Sequence, residues 1–241
     1  MKKFLKILGG FIVLVVVVLL LIGGYFGFVP GVSAVFGSDK PKDLGVKYSQ
    51  EDYESAVEKT AIDFGYKPST GTPNNSIKFE GKIDINKSLT SAELTALLAN
   101  DEWEYNFLRD TQIKINDDGT EEISGVLILD RIPGFLIARG YPEDLVHAMR
   151  DSVKYVPTDP TFYIKLDAGW ENDTLQMNLQ KAEFGRWPVD ESFLKEYNSV
   201  ITAVVQRHVL SVPNLHIDSL QFENGQMQYI GSFPEKIIWA K

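Results

Sequence analysis

The densest run of ligand-type side chains is Asn116-Asp117-Asp118-Gly119-Thr120-Glu121-Glu122. A calcium loop needs carboxylates or equivalents at its first and twelfth positions around a glycine at the sixth. With Gly119 at the sixth, Lys114 and Gly125 fall on those two positions, so the match fails. The run reads instead as an acidic, solvated hairpin tip. His147, His208 and His216 form no His-Glu-x-x-His pair, show no ligand spacing and have no visible triad partner. His208 falls on an apolar helical stripe, where a hydrogen-bonded core histidine is expected, and the other two are isolated. No nucleophile elbow, phosphate-binding loop or dinucleotide fingerprint is present, and no two carboxylates stand out as a hydrolytic pair. With no Cys there are no disulfides, zinc-thiolate sites or thiol nucleophiles. The reading is a non-enzymatic chain with no catalytic residue, metal ligand or cofactor.

What remains is apolar recognition. Trp170 and Trp187 are the indoles of interest, and Trp170 is expected in a hairpin loop at 168–173. An indole there would touch a ligand, a partner or lipid, or fold back over the sheet edge. Phe135 and Leu136 sit in an apolar segment that either covers the core or opens an apolar groove, and Met177 lies on the apolar face of a strand. These four are the candidate contacts for an apolar ligand or a partner.

The elements that must position them can be read from patterning. Ser49 with Asp52 starts a helix whose stripe runs through Tyr53, Val57, Thr60, Ala61 and Phe64, with Gly65 as its stop. Ile77, Phe79, Ile83 and Ile85 alternate with charged residues as one strand, with Gly81 placed for a bend. Thr90 and Glu93 make a capping box for a helix burying Leu94, Leu97 and Leu98. Hairpins are expected at 105–129, turning on Asp117–Thr120, at 162–183, and at 215–230, turning on Asn224-Gly225. Between the first two, 131–139 reads as a short helical lid. Pro142 starts a helix with Leu145, Val146, Met149 and Val153 inward, and Pro157 and Pro160 end it. Asp190 caps the longest helix of the domain, where Phe193, Tyr197, Val200, Ile201, Val204, Val205, His208 and Val209 form a broad stripe. Ile237-Ile238-Trp239 is a final strand. Hairpins interrupted by helices, with single-faced alternation, give an α+β domain: an antiparallel sheet packed on a long helix.

Composition places the domain. The 241 residues carry 24 Lys+Arg against 33 Asp+Glu, and 44% are hydrophobic, enough for a core. Lys2, Lys3 and Lys6 precede an uncharged run whose most apolar part, 7–29, would rise about 34 Å as a helix and span a bilayer. The basic residues put 1–6 in the cytoplasm, 7–29 across the cell membrane once, 30–47 as a linker, and 48–241 outside as an extracytoplasmic domain. The rival is a signal peptide cleaved after Ala34, but the run exceeds the usual apolar region of such peptides. Beyond residue 38 there are 21 basic and 33 acidic groups, a net charge of −12. Such a domain has no basic surface for nucleic acid and is repelled on average by anionic headgroups, so it is expected to stand off its membrane unless a local patch intervenes.

Thr-x-x-Glu-Leu-x-x-Leu-Leu at 90–98, the Ile-Lys-Ile-Asn-Asp-Asp-Gly-Thr-Glu-Glu-Ile-Ser-Gly hairpin at 113–125, and the terminal Leu-x-Phe-Glu-Asn-Gly-Gln-Met-x-Tyr-x-Gly-Ser-Phe-Pro run follow a single N-terminal anchor. This arrangement resembles YpmS-like bacterial envelope proteins, with kinship to tubular lipid-binding domains, over much of 77–234. The resemblance implies a curved antiparallel sheet around a long helix, with an apolar groove, outside a bacterial membrane. The extended 131–160 segment departs from that pattern. The function expected is a membrane-anchored, non-enzymatic domain binding a lipid or other apolar ligand in the cell envelope. The alternative is an interaction or scaffolding module for an envelope protein partner, with Trp170 as its contact.

Overall fold

Two capping boxes fix the first helices of the domain. Ser49 Oγ accepts the Asp52 N–H while the Asp52 carboxylate accepts the Ser49 N–H, opening a helix at Gln50. Thr90 and Glu93 repeat the arrangement at Ser91. The computed structural model describes residues 2–69, 71–154, 156 and 159–241, with side chains from residue 14 onward. Its elements are α1 (Lys2–Tyr25), α2 (Val32–Phe36), α3 (Gln50–Thr60), β1 (Asp63–Lys67), β2 (Ile77–Glu80), β3 (Ile83–Thr90), α4 (Ser91–Ala99), β4 (Leu108–Ile115) and β5 (Glu121–Leu127). They continue with α5 (Ile132–Ala138), α6 (Glu143–Val153), β6 (Thr161–Glu171), β7 (Thr174–Phe184), β8 (Trp187–Pro188), α7 (Glu191–Leu210), β9 (His216–Glu223), β10 (Gln226–Phe233) and β11 (Lys236–Ala240).

The architecture is α+β, as patterning predicts. A strongly curled antiparallel sheet, a half-barrel in the order β3-β10-β9-β6-β5-β4, carries β7 and β8 beyond β6. A three-stranded sheet, β1-β11-β2, lies beside it and contains a parallel pair, β1 with β11. The core unites Trp170, Leu175, Ile217, Tyr229 and Ile85 of the large sheet with Ile237 and Trp239 of the small one, plus Ile62 and Trp103.

Several boundaries move for identifiable reasons. The helix expected to reach Phe64 stops at Thr60, because Ala61 turns left-handed (φ 54°) and the chain enters β1. Phe64 and Gly65 are therefore strand residues paired with Ile237 and Ile238. The single strand expected over 77–85 breaks at Gly81 (φ 66°) into β2 and β3, which join different sheets. A side chain at Gly81 would meet Glu235 at 2.6 Å, so the bend also needs the space. The loop expected at 168–173 shrinks to Asn172-Asp173, both at positive φ (47° and 60°), a two-residue turn matching the strand twist. On α4, Leu94, Leu97 and Leu98 are only half-buried, and Leu145 of α6 faces solvent. Pro157 lies outside the described residues.

The segment 30–47 is not a free tether. Ser38 is buried and its hydroxyl donates to the Gly24 carbonyl at 2.5 Å. Farther on, the Leu44 N–H donates to Gln112 Oε1 at 2.8 Å, and Lys42 Nζ lies 3.5 Å from the ring centre of Tyr163. Among the described residues, no helix is long and apolar enough to cross a membrane. The stub 1–6 and the first part of the expected anchor 7–29, through residue 13, have side chains outside the described ones. The described part of α1 exposes nine consecutive large apolar residues, 14–22.

Candidate functional site

The end of α1 folds back on itself. Gly24 permits this, since a side chain there would overlap Val32 Cγ1 at 2.3 Å, so α2 packs directly on the last turn of α1. The chain just beyond α1 then meets the domain at the β7–β8 corner. The Arg186 N–H donates to the Phe26 carbonyl at 3.1 Å, and the Phe26 ring lies 4.8 Å from the Trp187 indole. Phe28 approaches Phe184 at 6.0 Å. Arg186 stacks over Tyr25 at 5.3 Å and donates to the Phe36 carbonyl at 2.8 Å. Aromatic side chains from α1, the turn after it and the β7–β8 corner thus form one contiguous junction.

Beside the junction opens a groove of about 1070 Å³, lined by Phe26, Trp187, Pro188, Val189, Phe193 and Leu194, with Gln180, Lys181, Asp190 and Glu191 at its polar margin. Its apolar wall follows from how α7 starts. Asp190 Oδ1 accepts the Ser192 N–H at 2.8 Å and the Ser192 hydroxyl, and these bonds hold its carboxyl below the usual range. Capping at Asp190 sets the helical phase that turns Leu194 inward and Phe193 outward. Lys181 pairs with Glu183 at 2.6 Å. Another apolar pocket, between α4 and β3–β10, is lined by Leu89, Leu94, Leu97, Met227 and Phe233 but holds only about 170 Å³. That is below the usual range for a small-ligand site.

The four residues singled out in the sequence lie elsewhere. Trp170 is 8% exposed, sits in β6 opposite Leu175 and Leu220, and belongs to the core rather than to a loop. Phe135 and Met177 pack half-buried against the same core, Phe135 against Phe107 (4.6 Å) and Trp103 (5.7 Å). Leu136 is buried as well. The structure brings Phe135, Met177 and Trp170 together, as packing. The groove residues left out were Phe26, assigned to the anchor, Phe193, assigned to a buried stripe, and Trp187. Proline directly after Trp187 was the usable signal, because it marks a strand end where an indole has little sheet to cover it.

The titratable groups are dispersed. His208 is hydrogen-bonded to Tyr141 OH at 2.9 Å, and burial, then Arg139, pushes it down to about 4. His216, isolated in sequence, is held between Asp173 (2.6 Å) and Asp218 (3.0 Å). Bonding to Asp173 raises its pKa. At the β4–β5 tip, Asp118 accepts from Thr120 as an exposed turn, but Glu121 departs from the solvated reading. It is 2% exposed, and neither carboxylate oxygen has a well-formed hydrogen bond. Burial, then the charge of Asp167, pushes Glu121 up to about 8, and the amides of Glu121 and Ala168 offset only part of this. Among the described residues, no group of three or more carboxylates and histidines is placed to hold a metal ion. No family model, curated protein or solved structure matches this chain.

Proposed function

We propose that the chain is a single-pass membrane protein whose extracytoplasmic α+β domain binds a lipid, or another amphipathic molecule with an apolar chain, without catalysing a reaction. The observation that carries this is the location of the groove. Its walls are the first residue beyond α1, the β8 corner and the first turn of α7, so it opens where an apolar helix meets the domain. Its volume falls at the upper end of ordinary ligand sites. The uncharged run at 7–29 and the bare apolar surface of 14–22 support the anchor, with the N-terminal lysines on the cytoplasmic side. The rival interaction-module reading draws no support from Trp170, which packs in the core.

The test is native mass spectrometry of the full chain released from membranes in a mild detergent, comparing wild type with Phe193→Asp. Phe193 is half exposed, so the substitution leaves the core alone. Wild type should retain an adduct that extracts as lipid, and the variant should lose it at unchanged melting temperature. Equal retention would remove the groove as the site. A wild type that carries no adduct even after incubation with lipid would end the lipid reading.

A further inference from the structure

The long helix is apolar over more of its circumference than the sheet covers. Leu194 is buried, Ile201, Val205 and Val209 are half-buried, and Asn198 and Gln206 bond the edge of β7. Phe193, Tyr197, Val200 and Val204 point away, with 48%, 39%, 56% and 56% of their surfaces exposed. At 3.6 residues per turn these four lie within about 60° of arc, a continuous strip three turns long. On one side exposed Arg207, Glu196 and Ala203 border it, the two charges being of opposite sign.

The strip does not end in water at its N-terminal end. Phe193, 4.4 Å from the Tyr197 ring, lines the groove with Trp187 and Phe26, and Phe26 directly follows the turn at the end of α1. The exposed apolar surface therefore runs from α1 through an aromatic junction onto α7. Its make-up changes along the way. Tyr25, Phe26, Trp187, Phe193 and Tyr197 cluster at the junction, with Arg186 stacked on Tyr25, while Val200 and Val204 lie beyond. Aromatic rings beside a cation at the mouth of an apolar helix are the side chains that partition to the headgroup level of a bilayer.

Resting on the reading of α1 as a membrane anchor, we infer that the outer face of α7 lies in the headgroup–acyl boundary of the same membrane. The domain is then seated on the bilayer rather than held off it, and the groove opens toward lipid. The net charge of −12 opposes approach of the domain as a whole to anionic lipid. The four strip residues are uncharged, and the bordering Glu196 and Arg207 carry opposite charges suited to the headgroup level, so a zwitterionic surface accepts them. The 4-3-4 spacing of the four residues would also suit pairing with α7 of a second copy. Continuity with α1, which a self-pairing seam does not require, favours lipid.

The chain has no cysteine, so single labels can be placed cleanly. The full chain in zwitterionic nanodiscs, carrying one environment-sensitive fluorophore at Val204→Cys or at Asp117→Cys on the β4–β5 tip, gives the test. The 204 label should shift to the blue and lose emission to nitroxide-bearing lipids, whereas the 117 label should do neither. A water-like 204 label on a chain that stays in the disc overturns the inference and leaves the anchor standing. Failure of the chain to stay with lipid through an alkaline wash overturns the anchor itself. A 204 label that is shielded yet insensitive to lipid nitroxides, and exposed in discs holding one copy, assigns the strip to a second copy and also overturns the inference.

Discussion

The Phe26 ring stands 4.8 Å from the Trp187 indole, and the Phe26 carbonyl accepts the N–H of the residue just before that indole. The backbone bond and the ring pair together tie the first residue beyond α1 to the β7–β8 corner of the sheet.

This junction predicts the behaviour of Trp187→Ala. An aromatic pair contributes about 0.5–1.5 kcal/mol beyond simple burial, and Trp187 is more than half exposed, so the domain should remain folded with a loss near ~1 kcal/mol. Hydrogen exchange should quicken at the Arg186 amide, and proteolysis should become faster within 30–47. Unchanged protection at Arg186 would mean the carbonyl bond holds without the ring pair.

Local chemistry was legible in the sequence, and the coverage of surfaces was not. Ser49, Thr90 and Asp190 cap the helices they were expected to cap, because a cap needs only residues a few positions apart. The Asn224-Gly225 turn is likewise local, with both residues at positive φ. Trp170 and Phe193 were misplaced for one shared reason. Periodicity reports that a face is apolar, but not whether another element arrives to cover it. Trp170 is covered by strands from distant sequence, and Phe193 is left bare because α7 turns its Leu194 side to the sheet. The groove lies between residues 26 and 193, a separation that no local pattern spans.

Glu121 predicts an unusual pH slope. Unfolded, its carboxyl ionises near 4.5; folded, it holds its proton to about 8. Between those values the unfolded chain has released a proton that the folded chain keeps, so stability falls as pH rises, by at most about 1.4 kcal/mol per unit. Glu121→Gln removes the charge and keeps the shape. The variant should match wild type near pH 4 and exceed it near pH 9 by on the order of 3 kcal/mol. Denaturant titrations at both values decide it, and parallel curves for the two proteins would show that the carboxyl is solvated.

The histidines predict opposite slopes in neighbouring windows. His216, bonded to Asp173 and then Asp218, has its pKa raised above 6.5. Its contribution is complete below 6.5 and disappears as pH rises through the raised value. His208 is buried beside Arg139 and is pushed down to about 4, so it weakens the fold as pH falls from 6.5 toward 4. Side-chain NMR titration should give one midpoint above 6.5 and one near 4. Asp173→Asn should lower the first without moving the second. A common midpoint for both would rule out this assignment of environments.

The last prediction concerns the edge of β7, which α7 closes with side chains rather than with a strand. Asn198 Oδ1 accepts the Leu179 N–H at 2.9 Å while its Nδ2 donates to the Met177 carbonyl at 2.8 Å, and Gln206 Oε1 accepts the Leu175 N–H at 3.0 Å. Asn198 and Gln206 are eight residues apart on a helix, about 12 Å, which matches the four-residue step from Leu175 to Leu179 on a strand. Removing the amide with Asn198→Ala leaves a donor and an acceptor unpaired and should cost about 2 kcal/mol. An open edge also invites pairing with another chain, so the variant should associate at lower concentration. Asn198→Asp separates the two bonds, since a carboxylate still accepts from Leu179 but repels the Met177 carbonyl. At neutral pH it should be at least as destabilised as the alanine variant, and it should recover at acid pH, where the protonated carboxyl can donate. Equal stability of both variants and wild type across pH would show that α7 covers the edge by packing alone.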